Sequence, residues 1–357
     1  MKKNIDTLTS FRFFAALGVF YFHVSNVDYA GLGVSFFFVL SGFILTYTYF
    51  DRLQMVNADV FNFYTARFAR IYPLHLITFS FCFCLFIKWL FNDPLWFYKM
   101  VLNLLLLQSY VPNQAVNFSY NGVSWSISCE FFFYFCFPFL LLLVRKVRLN
   151  LSLPIIAGLW LIQVGIGLMV NPNSEAGNWG IYIFPLFRIA EFIIGMLICL
   201  LFRKRSEIKP NFVVFTILEV LTLCSIFVVH KLSHFIDPAL RSGIIYVPFI
   251  ATMILVYSFQ CGVVSKILQH KFLVTLGEIS FAFYMIHQLV IRYDNLFITW
   301  KGSQTVHDLF LFVISVTISY FVYTFYEIPM RNKIRGWVSL KKRPEKAKKE
   351  VYQVELS

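Results

Sequence analysis

Apolar residues in this chain gather into long runs that are hydrophobic on every face, rather than into alternating or single-faced patterns. They centre on residues 9–26, 32–50, 72–91, 123–144, 153–170, 181–202, 211–230, 243–261, 272–292 and 307–328. A helix needs about 20 such residues to cross the ~30 Å hydrocarbon core of a bilayer. The runs therefore predict an all-α polytopic membrane protein of about ten transmembrane helices, with a membrane domain over residues 1–330. The segment KMVLNLLLLQSYV (99–111) is apolar but short. Counting it as a span would send RKVR to the outside, so it is expected to be a re-entrant or interfacial helix. The weak dyad alternation of a membrane β-barrel is absent. The first run has no small-residue cleavage site and is followed at once by a second, which predicts a span rather than a cleaved signal.

Composition agrees: 59% of residues are hydrophobic and 14% charged. The formal net charge of +13 would suit nucleic acid, but its distribution argues against that. Residues 331–350 hold nine Lys/Arg against two Glu, and most other basic residues fall in short loops between the runs. That is the positive-inside pattern, and it predicts cytoplasmic N- and C-termini and a basic cytoplasmic tail over 331–357. Such a tail suits anionic lipid better than nucleic acid. The seven cysteines, Cys82, Cys84, Cys129, Cys136, Cys199, Cys224 and Cys261, lie in or at the ends of apolar runs. They have no metal-ligand spacing and read as small buried apolar residues.

Against this background the ionisable residues inside the runs stand out. Arg12 and His23 are eleven positions apart, almost a whole number of helical turns, so they share one face about 16 Å apart along the axis. A charge at membrane depth costs at least ~2.5–3.5 kcal/mol, so two on one face imply a polar cavity or partners. The alternatives are a packing hydrogen bond for His23 and interfacial anchoring for Arg12. Arg67 and Arg70, in YTARFARIYP just before the third run, share a face that suits a phosphate or carboxylate, or simple positive-inside anchoring. By topology Arg12, Arg67, Arg70 and Glu327 form an inner layer, and His23, Glu130 and His287 an outer one. Ala15, Ala16 and Val19 lie between Arg12 and His23; they leave room for an elongated ligand or serve tight packing. His287 and Glu130 each allow a structural hydrogen bond as well as a site role, and Arg188 with Glu191 reads as an ion pair.

The chain resembles the integral membrane acyltransferase family 3. The resemblance is carried, in order, by IDTLTSFRFFAALGVFYFH, GLGVSFFFVLSGFIL, RFARIYPLHL, VSWSISCEFFFYFCFP, FRIAEFIIGM, LGEISFAFYMIHQ and FYEIPMR, over about residues 5–332. It implies a stand-alone member without an SGNH domain, in the bacterial cytoplasmic membrane. The implied reaction moves an acyl group, acetyl above all, from cytoplasmic acyl-coenzyme A to a hydroxyl of an extracytoplasmic or lipid-linked glycan, with no tightly bound cofactor. Arg12, Arg67 and Arg70 would hold the donor, His23 would act as base or nucleophile with Glu130 orienting it, and His287 and Ser41 are further candidates. Ser35 departs from the family pattern, which often has an acidic residue there. A secondary transporter or flippase would also carry intramembrane charges, but no internal repeat or matched broken helices are visible. A non-catalytic partner in polysaccharide assembly is the other alternative.

Overall fold

The computed structural model describes residues 4–25, 29–90, 92–205 and 210–336. Within them every regular element is helical. The principal helices are α1 (Asp6–Ser25), α2 (Ala30–Tyr49), α3 (Asn57–Leu90), α4 (Ser124–Lys146), α5 (Leu149–Met169), α6 (Pro185–Arg205), α7 (Phe212–Leu232), α8 (Val247–Ser258), α9 (Lys271–Phe297) and α10 (Gln304–Val322). They follow the ten apolar runs in order. Among the described residues nine helical stretches are long and apolar enough to cross a membrane, and α8 is the shorter exception.

Although α8 has only twelve residues, about 18 Å of helix, the chain still changes sides there. Before α8, the Tyr246 hydroxyl meets His230 Nδ1 at 3.2 Å, near the end of α7. At the far end of α8 the Tyr257 carbonyl accepts from the Thr7 hydroxyl at 2.7 Å, in the first turn of α1. The flanking 3₁₀ turn at Ile244–Tyr246 makes up part of the missing length. As a result α1 and α9 run parallel, with Gly277 against Thr9 and His287 against His23. Residues 4 and 336 then lie at the same end of the bundle, called here the arginine end, opposite a histidine end.

Two expectations are corrected, for α3 and for the cysteines, and that of a short, non-spanning helix at 99–111 is refined. Helix α3 starts at Asn57 rather than near 72, so Arg67 and Arg70 sit on one continuous helix, which carries Pro73 in its interior. Run 99–111 becomes a nine-residue helix, Trp96–Leu104, and a 3₁₀ turn, Gln108–Tyr110. Of the cysteines Cys82, Cys129 and Cys199 are buried, but Cys84 and Cys224 are exposed on the bundle surface. The tail beyond Gly336 and loop residues 206–209 lie outside the described residues.

Apolar side chains gain little from leaving lipid for a protein interior, so helices in a membrane associate through close backbone approach and polar contacts. The centre of this bundle is built that way. A Cβ placed on Gly195 of α6 would lie 1.9 Å from the Val39 carbonyl of α2, and one on Gly277 of α9 would lie 2.0 Å from the Thr9 carbonyl of α1. These contacts put α1, α2, α6 and α9 at the core, where 72% of the α2 span is buried, against 11% for α7 at the rim. Gly277→Ala should therefore lower the unfolding temperature in detergent, with a cost of about 1–3 kcal/mol, whereas Gly158→Ala, with open space around it, should leave it unchanged. Equal melting of the two variants would refute the packing account.

Candidate active site

At the histidine end the hydrogen bonds fix two imidazoles. His287 is fully buried in α9, and its Nδ1 lies 3.1 Å from the Phe283 carbonyl. A carbonyl only accepts, so Nδ1 carries the proton and Nε2 is a bare acceptor. That Nε2 sits 3.3 Å from His23 Nδ1, which also lies 2.8 Å from the Val19 carbonyl. His23 Nδ1 must therefore be the protonated nitrogen, shared between two acceptors, and the lone pair of His23 falls on Nε2. His23 helps line a cavity of about 380 Å³ together with Trp125, Tyr182, Arg241, Tyr284 and Gln288. The Gln288 side chain is held by the Val123 amide, which donates to Oε1 at 2.8 Å. Aromatic faces and converging polar groups around a space of this size suit a small organic ligand.

The arginine end gathers Arg12, Arg67, Arg70 and Glu327. Glu327 is buried and forms an ion pair with Arg70, whose guanidinium also lies 5.4 Å from the centre of the Phe281 ring. Arg67 has no such carboxylate among the described residues. Its guanidinium stands 5.7 Å from both the Tyr49 and Tyr134 ring centres, and its Nε is buried without a hydrogen-bond partner. Cation–π contact holds the flat group while leaving its N–H edge available. Glu130 does not join the histidines as expected. Tyr134 donates to it at 3.1 Å, and its other neighbours are Ser41, Arg12 and Arg70. Arg12 has Glu130, Glu327 and Arg70 all within electrostatic range, so this carboxylate of α4 belongs to the arginine group. The neighbour that orients His23 is His287 instead.

Between the two groups lies a small cavity of about 40 Å³, lined by Arg12, Glu130, Ser126, Phe281, Val34 and Tyr284 among others. Val34 and Tyr284 line the larger cavity as well, so these two side chains border both. Tyr284 is fixed by its hydroxyl, 2.7 Å from Ser126 Oγ. The profile of an acyltransferase domain matches residues 5–324, which is nearly the whole chain. The chain belongs to the integral membrane acyltransferase family 3. Among similar proteins, acyltransferase MdmB of Streptomyces mycarofaciens is 30% identical over 325 residues, covering 82% of this chain and 80% of that protein. O-acetyltransferase OatA of Staphylococcus aureus is 24% identical over 364 residues, covering 93% of this chain but 58% of its own length. No solved structure matches the chain.

This acyltransferase family 3 protein keeps a further charge pair behind the wall of its larger cavity. Arg188 and Glu191 are both fully buried and meet at 3.2 Å. Ser35, the position expected to be acidic, accepts from Arg188 Nη2 at 3.0 Å, so a hydroxyl holds the contact and Glu191 supplies the charge. The Arg188 guanidinium also faces the Phe38 and Tyr182 rings at 5.1 and 5.7 Å. Sequence reasoning missed Arg241, Gln288 and Tyr284. Arg241 ends a four-residue helix, Pro238–Arg241, between two apolar runs where no motif marks it, and only the adjacent His287 pointed to Gln288. Removing one member of a buried pair strands the other, so Glu191→Leu should cost about 3–5 kcal/mol, and Arg188→Met/Glu191→Leu together should cost less than that single change. Thermal unfolding of the two variants checks this; a double variant melting below the single one would contradict it.

Proposed function

We propose that this protein transfers an acyl group, acetyl above all, from cytoplasmic acyl-coenzyme A at the arginine end to a hydroxyl of an extracytoplasmic or lipid-linked glycan at the histidine end, in the bacterial cytoplasmic membrane. The observation that carries the reading is the fixed tautomer of His23: its Nδ1 is tied to Val19 and His287, which leaves Nε2 as a base on a residue that lines the 380 Å³ cavity. Arg67, Arg70 and Arg12 hold the donor's anionic end. The thin pantetheine arm runs past Arg12 and Glu130 toward Val34 and Tyr284, and the acyl thioester arrives beside His23.

In the reaction His23 Nε2 takes the proton of the acceptor hydroxyl as its oxygen attacks the thioester carbonyl. The carbon–sulfur bond breaks, and the imidazolium returns the proton to the leaving thiolate, so the products are an ester and free coenzyme A. His287 keeps the Nδ1 proton of His23 occupied throughout, and the imidazole stays in register. His23→Ala should lower transfer of labelled acetyl from acetyl-coenzyme A by about 100- to 10,000-fold while leaving the protein folded and able to bind donor. Glu130→Gln should give a milder loss. Near-normal transfer by well-expressed His23→Ala would overturn the assignment.

A further inference from the structure

Helix α10 does not stop at Val322. It passes through a π-turn at Tyr323–Glu327 and continues as helix to Gly336. A π-turn inserts one extra residue and so rotates every later side chain around the axis. Beyond it, Glu327, Arg331 and Arg335 follow at intervals of four and form one stripe. The stripe is turned toward α3: Glu327 is the partner of Arg70, Arg335 has Arg67, Arg331 and Arg70 among its charged neighbours, and Tyr323 lies within range of both Arg70 and Arg331. The Tyr326 hydroxyl donates to the Pro73 carbonyl at 3.1 Å, which pins the two helices together one turn past Arg70.

Four guanidinium groups, from Arg67, Arg70, Arg331 and Arg335, therefore converge from two helices. The carboxylates beside them are Glu327, paired with Arg70, Glu130, which Arg70 shares with Arg12, and Glu278, which shares the surroundings of Tyr323, so that with Arg12 five guanidinium groups face three carboxylates. Arg67 Nε and Arg331 Nε are both buried without a hydrogen-bond partner. Positive charge in excess of its counter-charge, with donors already withdrawn from water and not used internally, is unfavourable unless an anion completes it. The excess is multiple and spread over two turns of helix, which fits several phosphate groups on one molecule better than a single carboxylate.

We infer that Arg331 and Arg335, carried on the π-turned end of α10, complete with Arg67 and Arg70 a binding face for the phosphate groups of the donor, the diphosphate and the sugar-borne phosphate of a coenzyme A thioester. The inference rests on the proposed use of acyl-coenzyme A and goes beyond it, because it assigns the donor's phosphates to a helix opposite the R-x-x-R pair. A phosphate-bearing lipid headgroup offers the same chemistry, and the test separates the two sources.

The experiment uses the purified full chain. Transfer is measured with acetyl-coenzyme A and with acetyl-pantetheine, which lacks every phosphate, and coenzyme A binding is measured separately by thermal shift. Arg331→Ala should raise the KM for acetyl-coenzyme A about tenfold with kcat within about twofold, Arg331→Lys should recover part of the loss as a point charge, and acetyl-pantetheine should be used equally by all three proteins. The coenzyme A thermal shift should shrink in Arg331→Ala and in Arg335→Ala. An unchanged KM and thermal shift, or an equal loss with both donors, would overturn the assignment. Loss of stabilisation by phosphatidylglycerol with coenzyme A binding intact would give the face to lipid and likewise overturn it. Wild-type protein that binds coenzyme A with Arg331-dependent affinity but transfers nothing from acetyl-coenzyme A would sink the proposed reaction while sustaining the binding face; no binding by the wild type would sink both.

Discussion

A guanidinium cannot leave its charge behind at membrane depth, so every arginine inside the bundle must be matched by protein groups or by a ligand. The arginines of this protein divide by how completely that is done. Arg188 meets Glu191, Ser35 and two aromatic rings, and although its Nε and Nη1 are buried without hydrogen-bond partners, its charge is balanced within the pair. Arg70 has Glu327. Among the described residues Arg67 has the faces of Tyr49 and Tyr134 and no carboxylate, and Arg12 opens on a cavity it shares with Glu130. Arg12, Arg67 and Arg70 lie together at one end, next to a helix tail carrying two more arginines. Charge left over in a medium that penalises it is the strongest structural argument for an anionic ligand there.

The histidine end follows the opposite rule. Among the described residues no carboxylate is bonded to His23 or His287; three of their ring nitrogens meet backbone carbonyls or each other. That arrangement holds both rings in the Nδ1-protonated tautomer and concentrates basicity at one nitrogen, His23 Nε2. Cations at one end and a lone-pair base at the other face two cavities that Val34 and Tyr284 both border. The close backbone contacts at Gly195 and Gly277 give these parts their precision: they bring α1, α2, α6 and α9 near enough for single side chains to border both cavities.

Much of this could be read from the chain. The Arg12–His23 spacing and the Arg67–Arg70 pair depend only on local helical geometry, and the ten apolar runs only on hydropathy, so both carried over to the structure. What failed to carry over depends on contacts between distant segments. Depth counted along the backbone of α4 puts Glu130 level with His23, whereas its side chain meets Tyr134, Ser41, Arg12 and Arg70 from neighbouring turns and helices. His287 is 264 positions from His23, and only the parallel course of α1 and α9 makes them neighbours. The stripe of Glu327, Arg331 and Arg335 depends on a π-turn for which FYEIPMR gives no periodic signal. The early start of α3 was hidden because residues 57–71 are too polar to extend an apolar run, yet a helix crossing into the headgroup region has no need to be apolar there.

The central claim is that donor and acceptor are met at opposite ends of one path. Its most direct measurement is transfer of radiolabelled acetyl in sealed vesicles of known sidedness, with acetyl-coenzyme A supplied only to the side facing the arginine end or only to the side facing the histidine end, and a membrane-impermeant acceptor on the other. Labelled acceptor should appear only when the donor has access to the arginine end. Equal labelling with the donor confined to the histidine end would contradict the account.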